Sequence, residues 1–286
     1  MLYIVATPIG NIKDITLRAL ETLKEADVVF CEDTRRSLNL LNHYGIKKTL
    51  MRYSDHILKT SENIIELISQ GKKVALISDG GMPNISDPGF VALKMALEKG
   101  IKVEVIGGVS AVTSAAALSG FDASSFIFLG FLERSESRII KKLEMAFSLD
   151  IPVVLYESPN RILSFLEMLS RRFANTRVVI AREMTKVYEE WIRGDVSEVL
   201  DKIKNRDILG EITVVLKRER NLKDNISSLG FVCTGNTCRS VMAHYYALKL
   251  ASDSKLNLTV SSAGIMVEDS AVCPYAIEIL DKNGVG

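Results

Sequence analysis

Short runs of β-branched and aromatic residues recur along this chain at intervals that leave room for one helix each. No other feature narrows its fold as much. The runs are LYIVA (2–6), DVVFCE (27–32), KVALIS (73–78), KVEVI (102–106), SFIFLG (125–130), PVVLYE (152–157), RVVIAR (177–182) and EITVVLK (211–217). Between most of them apolar residues return at i, i+3, i+4 spacing, as in ITLRALETLKEA (15–26), ENIIELISQG (62–71) and RILSFLEMLSRRF (161–173). Strand-length runs alternating with helix-period stretches predict an α/β fold with mainly parallel sheets, because parallel neighbours need a crossover and a helix supplies it. The pattern breaks near Gly120 (LSGFDASS) and again over the polar stretch RNLKDNISSL at 220–229. It then restarts as one βαβα unit: LGFVC, SVMAHYYALKLA, NLTVSSAG, SAVCPYAIEILDKN. The expected organisation is therefore a lobe at 1–119, a second lobe at 120–220, a linker at 221–227 and a smaller domain at 228–286.

Composition excludes several classes. The 286 residues are enough for two or three cored domains, and 36 basic against 35 acidic residues leave no global field of the kind that draws in polyanions. Local basic groups, Arg35-Arg36, Arg134/Arg138/Lys141/Lys142 and Arg171-Arg172, read as solvated helix faces. No apolar run approaches a membrane span, and the start MLYIVATPIGN reads as a first strand rather than a signal peptide. Cys31, Cys233, Cys238 and Cys273 form no CxxC pair, which fits reduced thiols in a cytoplasm, and no metal-ligand spacing is present.

Three strand-following loops carry Gly or Pro: ATPIGNIKDITLRA, SDGGMPNISDPGF and IGGVSAVTSAA. In a parallel α/β sheet such loops converge on one crevice at the carboxyl ends of the strands, where ligands bind. Asp79 or Asp87 could there take up hydroxyls or an ammonium group. With EDTR (32–35), YESPNR (156–161) and AREMTK (181–186), the spelling TPIGN and SDGGMPNISDPG resembles the tetrapyrrole-methylase superfamily. Within it the chain resembles the RsmI-type branch, which places a 2′-O-methyl group on a cytidine of 16S ribosomal RNA. Five motifs match in order over 1–220, and TPIGN replaces the GxGPGD-like opening of members that act on tetrapyrroles.

The resemblance implies a two-lobed, dimeric α/β methyltransferase holding S-adenosyl-L-methionine between its lobes, with small-subunit ribosomal RNA or the 30S subunit as partner. Carried over by residue, the cofactor loops are Pro8 and Gly10; Asp79, Gly80, Pro83 and Asp87; Ser110 and Ala111; and, from the second lobe, Tyr156, Glu157 and Met184. His56 in YSDHI is a candidate base, and Arg161 a candidate for contacting RNA phosphate or fixing the cleft. The chain departs from the family at Ile106-Gly107-Gly108-Val109-Ser110, where a Pro-Gly-Pro-type turn is usual, which predicts a more flexible loop. It also departs at Asn160, where relatives have histidine, and at Glu133 in a GFLP-type turn. A small-molecule tetrapyrrole methylase is the alternative for this half.

In FVCTGNTCRS, Cys233 and Arg239 stand at Cys-x5-Arg spacing between a strand and a helix. One tight turn at that spacing wraps a phosphate in backbone N–H groups and a guanidinium, and the same positive environment makes the cysteine a thiolate nucleophile. With VSSAG (260–264) the stretch resembles low-molecular-weight protein phosphatases, and Thr237 resembles the arginine-directed subgroup. The resemblance implies Cys233 as nucleophile, Arg239 as catalytic partner, Ser240 steadying the sulfur, and Gly235, Asn236, Thr237 and Arg239 holding phosphate. Val241 stands where relatives have proline. The family's acid lies on an Asp-Pro loop; the only Asp-Pro here is Asp87-Pro88, and Asp253, Asp269 and Asp281 lack that context. The expectation is an incomplete half-domain. The alternatives are a second, phosphoprotein-directed hydrolase activity or a module that only binds phosphate groups.

Overall fold

Each predicted run becomes a strand in the computed structural model, which describes residues 1–219, 228–254, 258–265 and 271–284. Contacts divide the chain into two units, Met1–Glu219 and Arg220–Gly286. The expected linker at 221–227 and Asp269 lie outside the described residues.

The first sheet contains β1 (Leu2–Val5), β2 (Val28–Cys31), β3 (Thr49–Arg52), β4 (Val74–Ile77) and β5 (Val103–Ile106), all parallel in the order β3-β2-β4-β1-β5. LYIV and VALI are unbroken apolar runs because both faces of the central strands are covered. Tyr3, Val5, Ala75 and Ile77 pack on one face against Ala19 and Leu23 of α1 (Leu17–Glu25) and Leu41 of α2 (Thr34–His43). Leu2, Ile4, Val74 and Leu76 pack on the other against Ile64 and Ile65 of α3 (Leu58–Ser69) and Ala92 and Ala96 of α4 (Phe90–Glu98). Adjacent β4, β1 and β5 send their following loops, the three glycine-bearing ones, out of the same edge.

The second sheet corrects the expectation of mainly parallel pairing. Its strands β6 (Ile127–Phe131), β7 (Val153–Glu157), β8 (Thr176–Arg182), β9 (Glu190–Asp195) and β10 (Ile212–Arg218) run in the order β6-β7-β10-β8-β9. Only β6–β7 is parallel. The turn between β8 and β9 is too short for a crossover, and β10 inserts between β7 and β8 against both. Neither β3 (TLMR) nor β9 (EWIRGD) was legible as a strand, since both are short, polar edge segments. Helices α6 (Glu136–Ser148), α7 (Pro159–Arg172) and α8 (Val196–Ile203) cover one face of this sheet. The other face takes Val112, Ala115 and Ala116 of α5 (Ala111–Leu118) against Val154, Val179, Ala181 and Val215. The helix that the sequence pattern placed in the first lobe thus buries its small apolar face on the second lobe's sheet.

In the Arg220–Gly286 unit, β11 (Ser228–Cys233) and β12 (Thr259–Gly264) pair in parallel, followed by α9 (Arg239–Asp253) and α10 (Pro274–Lys282). Val241, Ala251, Ala276 and Leu280 are its buried apolar residues among those described. Val241 contributes an apolar side chain where proline would have favoured the helix start.

Candidate functional site

The three loops of the first sheet and the facing edge of the second enclose a cleft of about 410 Å³. Ile9 follows β1; Asp79, Gly80, Gly81, Met82, Ile85, Ser86 and Asp87 follow β4; Ser110 and Ala111 follow β5. The second lobe adds Phe131, Tyr156, Glu157, Ser158, Pro159 and Gly210 to Thr213. Seven of the residues expected from the sequence meet here: Asp79, Gly80, Asp87, Ser110, Ala111, Tyr156 and Glu157.

The others lie elsewhere. The Pro8 carbonyl oxygen would stand 3.4 Å from a Cβ on Gly80, so Pro8 supports that loop from beneath. A Cβ on Gly10 would fall 2.5 Å from Lys186 Cγ, 2.7 Å from Thr185 Oγ1 and 2.8 Å from Met184 O. Gly10 is thus required for close approach of the lobes, reinforced by Asn11 N donating to Thr185 Oγ1 at 2.9 Å. Met184 is a core residue of the second lobe and Pro83 is buried outside the cleft lining. His56 is exposed and absent from the cleft wall, its backbone N–H donating to Ser54 Oγ at 3.3 Å. Arg161 spends its guanidinium within the protein: Nη1 donates to Leu132 O at 3.0 Å, Nη2 to Glu133 O at 3.1 Å, and Nη2 lies 3.2 Å from Glu157 Oε2. Between contacting RNA phosphate and fixing the cleft, the geometry supports the second, because these bonds hold the segment that follows Phe131 at the end of β6. Gly108, in the departed third loop, would place a Cβ 2.8 Å from Ala6 Cβ, so glycine there permits contact with β1.

Glu32, Arg36 and Glu211 line the cleft without having been singled out as site residues. Glu32 opens the EDTR motif, and β2 lies beside β4, which brings that motif next to Asp79. Asp79 Oδ1 accepts from Asp33 N at 3.0 Å, and its Oδ2 stands 3.8 Å from Arg36 Nη1. Glu32, Asp79, Asp87 and Glu211 face one space with Arg36 as the cation among its wall residues. Burial first, then the charge of Glu32, raises the Asp87 carboxyl to about 6, against the nearby Ser78 hydroxyl; Asp79 and Glu211 add to the rise. Glu32 is raised by burial and Asp79, partly offset by Arg36 and Arg52. Burial, then Asp87 and Glu211, push Tyr156 up to about 12. Glu157 is raised by burial although Ser158 N donates to its Oε1 at 2.7 Å; its Oε2 has the Arg161 ion pair but accepts no hydrogen bond. Five acidic side chains, one of them (Glu157) paired with Arg161, among Ile9, Met82, Ile85, Phe131 and Ile212 suit a ligand that is cationic, partly apolar and rich in hydroxyls.

The second unit carries the other predicted constellation. Cys233 ends β11, and its Sγ accepts from Asn236 N at 3.1 Å and lies 3.0 Å from Ser240 Oγ. Asn236 takes the left-handed conformation (φ 50) that turns the loop, and its Oδ1 accepts from Ser240 Oγ at 2.7 Å. The single Ser240 proton serves Asn236 while Cys233 is a thiol and can turn to the sulfur on ionisation. Hydrogen bonds from Ser240, then from Asn236 and Gly235 N–H groups, lower Cys233 to about 7. Arg239 is exposed at the start of α9, and Thr237 O accepts from Cys273 N at 2.8 Å. Among the described residues no group of His, Cys, Asp and Glu is arranged to hold a metal, and no helix is long and apolar enough to cross a membrane.

Two α/β lobes closing on a crevice at the carboxyl ends of β4, β1 and β5 define a fold shared with solved structures. A cobalt precorrin-4 methyltransferase superposes with a TM-score of 0.59 at 19% identity, covering 76% of this chain and 94% of that one. A diphthine synthase does so with 0.60 at 19% identity, covering 76% and 89%. The family model of tetrapyrrole (corrin/porphyrin) methylases matches residues 1–200, and the chain belongs to that family. Within it, the chain is similar to ribosomal RNA small subunit methyltransferase I of Thermotoga maritima, 47% identical over 218 residues covering 75% of this chain and 97% of the relative. The protein of the same name from a Hydrogenobaculum species is 46% identical over 226 residues, covering 77% and 97%. The model of low molecular weight phosphotyrosine protein phosphatase matches residues 228–286.

Proposed function

We propose that the Met1–Glu219 unit transfers the methyl group of S-adenosylmethionine to a ribose 2′-oxygen of a cytidine in 16S ribosomal RNA. The observation that carries this reading is the carboxylate-lined, part-apolar cleft between the lobes, in a unit 47% identical over 97% of a ribosomal RNA small subunit methyltransferase I. Asp79, Glu32 and Asp87 are suited to an ammonium group and ribose hydroxyls, Ile9, Met82 and Ile212 to an adenine ring, and the start of α5 at Ser110-Ala111 to a carboxylate. The bound cofactor supplies an electrophilic methyl on a cationic sulfur; the protein's part is alignment and water exclusion, which tighten as Phe131 and Tyr156 close one side. Arg161 contributes by holding that side in place. Tritium-labelled S-adenosylmethionine with 30S subunits lacking the modification tests the assignment. Label in a cytidine ribose supports it; label only in a tetrapyrrole precursor overturns it.

A second reading concerns residues 228–286. The Cys233–Ser240–Asn236 geometry, with a thiol near pH 7, favours a phosphate-binding loop able to attack a phosphorylated side chain. Phosphoarginine peptide hydrolysis by the full chain and by Cys233→Ser tests it: equal rates refute it. By the family resemblance we take the protein to be a homodimer, which light scattering reads out; a monomer refutes it. We place the protein in the cytoplasm with its ribosomal substrate.

A further inference from the structure

The cleft loop 79–89 is fastened differently at its two ends. Where it leaves β4, Thr7 N donates to Gly81 O at 2.8 Å and Gly81 N to Thr7 O at 3.0 Å. The Thr7 hydroxyl donates to Ser78 O at 3.0 Å and the Ser78 hydroxyl to Gly81 O at 3.1 Å. Where it enters α4, the N-cap residue is Gly89, which has no side chain to cap with. The cap comes from the connection between β3 and α3. Asp55 Oδ2 accepts from Gly89 N at 2.9 Å and Phe90 N at 3.3 Å, and Oδ1 accepts from Val91 N at 3.1 Å. Tyr53, 1% exposed, donates its hydroxyl to Asp55 Oδ1 at 2.5 Å and accepts from Ala92 N at 3.1 Å. Two side chains from one short segment therefore meet four consecutive N–H groups that a helix start leaves unpaired.

We propose that Asp55, seated by Tyr53, is a positioning residue for the cleft: it holds the α4 end of the loop so that Ser86 and Asp87 stay in the cleft wall. The segment it holds is not relaxed by its own preferences. Asn84 (φ 70) and Ser86 (φ 63) are left-handed without being glycine, and Gly89 (φ 152) would bring a Cβ 3.0 Å from Asn84 N. Such residues persist where their surroundings over-determine them. Gly81 is clamped to Thr7, just past β1, and Gly89 to Asp55, so the wall residues between them are held at both ends. Burial alone would raise the Asp55 carboxyl, but the Tyr53 hydroxyl and the Gly89, Val91 and Phe90 N–H groups outweigh it and hold it below the usual range. Asp55 does not line the cleft, so its removal reaches a ligand only through the loop. The motif YSDHI is functional on this account through its aspartate, not through His56.

The identity of the ligand rests on the proposed methyl transfer, so the experiment has two independent readouts. In the full-length chain, Asp55→Ala weakens S-adenosylmethionine binding in calorimetry tenfold or more. It raises KM for that cofactor while kcat and KM for 30S subunits stay within twofold. Asp55→Asn, which keeps one acceptor oxygen, falls between. Hydrogen exchange of Asp55→Ala rises in peptides covering 79–92 and is unchanged in those covering β1 and β5. Unchanged exchange over 79–92, a rise across the whole first sheet, or parallel changes in both KM values overturn the proposal. A wild-type chain that binds no S-adenosylmethionine refutes the cofactor reading, and the exchange comparison still decides whether Asp55 holds the loop.

Discussion

Replacing Asp87 by asparagine should stabilise the ligand-free protein and weaken its ligand together. The carboxyl is raised from 3.8 to about 6 because it is buried beside Glu32, Asp79 and Glu211. A raised acid carries no penalty below its unfolded value, since it is protonated in both states. The penalty grows as pH climbs from about 4 to about 6 and is complete above that. At about 1.4 kcal/mol per unit, discounted because Asp87 is only partly buried and water screens its charge, the cost at neutral pH is about 1–3 kcal/mol. Asp87→Asn removes it. For a unit of this size that is about 3–10 °C in melting temperature at pH 8, shrinking towards zero near pH 4. A cationic ligand reverses the sign: it lowers the carboxyl's pKa on binding, so affinity falls as pH drops through about 6. Losing one carboxylate costs the ligand about 1–2 kcal/mol, roughly 5–30-fold. Melting curves of both proteins at pH 4.5 and pH 8, with and without S-adenosylmethionine, carry all of this. An asparagine variant equally stable at both pH values relative to wild type, or one binding the cofactor as tightly, would refute the electrostatic account of the cleft.

Gly10→Ala forces backbone and side chain of residues 184–186 away from the first lobe and should cost about 1–3 kcal/mol, seen as a lower melting temperature with weaker cofactor binding. Arg161→Ala strands the buried Glu157 carboxyl and frees the Leu132 and Glu133 carbonyls; we expect about 1–3 kcal/mol of destabilisation, while the salt dependence of RNA binding, measured by titration, stays as in wild type. Iodoacetamide should alkylate Cys233 with a midpoint near pH 7, moving upward in Ser240→Ala; a midpoint near the ordinary thiol value would contradict the loop geometry.

Much of the first lobe was legible because its signals are local. The runs LYIV and VALI are apolar throughout, as doubly covered parallel strands must be, and the glycine-bearing loops that follow them announce close backbone approach. Asp79 and Asp87 could be singled out in this way, whereas Ser110 came only through the family resemblance. Edge strands β3 and β9 could not, because an edge exposed to water has no need of an apolar pattern. In YSDHI a histidine draws attention by its chemistry, whereas Asp55 draws none until the three N–H groups opposite it, those of Gly89, Phe90 and Val91, are known. Gly10 and Met184 read as cofactor contacts because both lie in family motifs, yet they meet each other's segment across the lobes.

By itself the amino-acid order determined where the helices and all strands but the edge strands β3 and β9 lie, which loops carry glycine, and that Cys233 and Arg239 share one turn, all through local patterns spanning a dozen residues or fewer. Strand order was decided only in three dimensions. Placing β2 beside β4 brings Glu32 and Arg36 to Asp79 across more than forty positions of chain, and inserting β10 between β7 and β8 turns the second sheet antiparallel. The physical reason is that burial selects neighbours by complementary surfaces, and a surface is not complete until distant segments have packed. The charge of the cleft, and hence the pKa of Asp87, belongs to that packing and to no single motif.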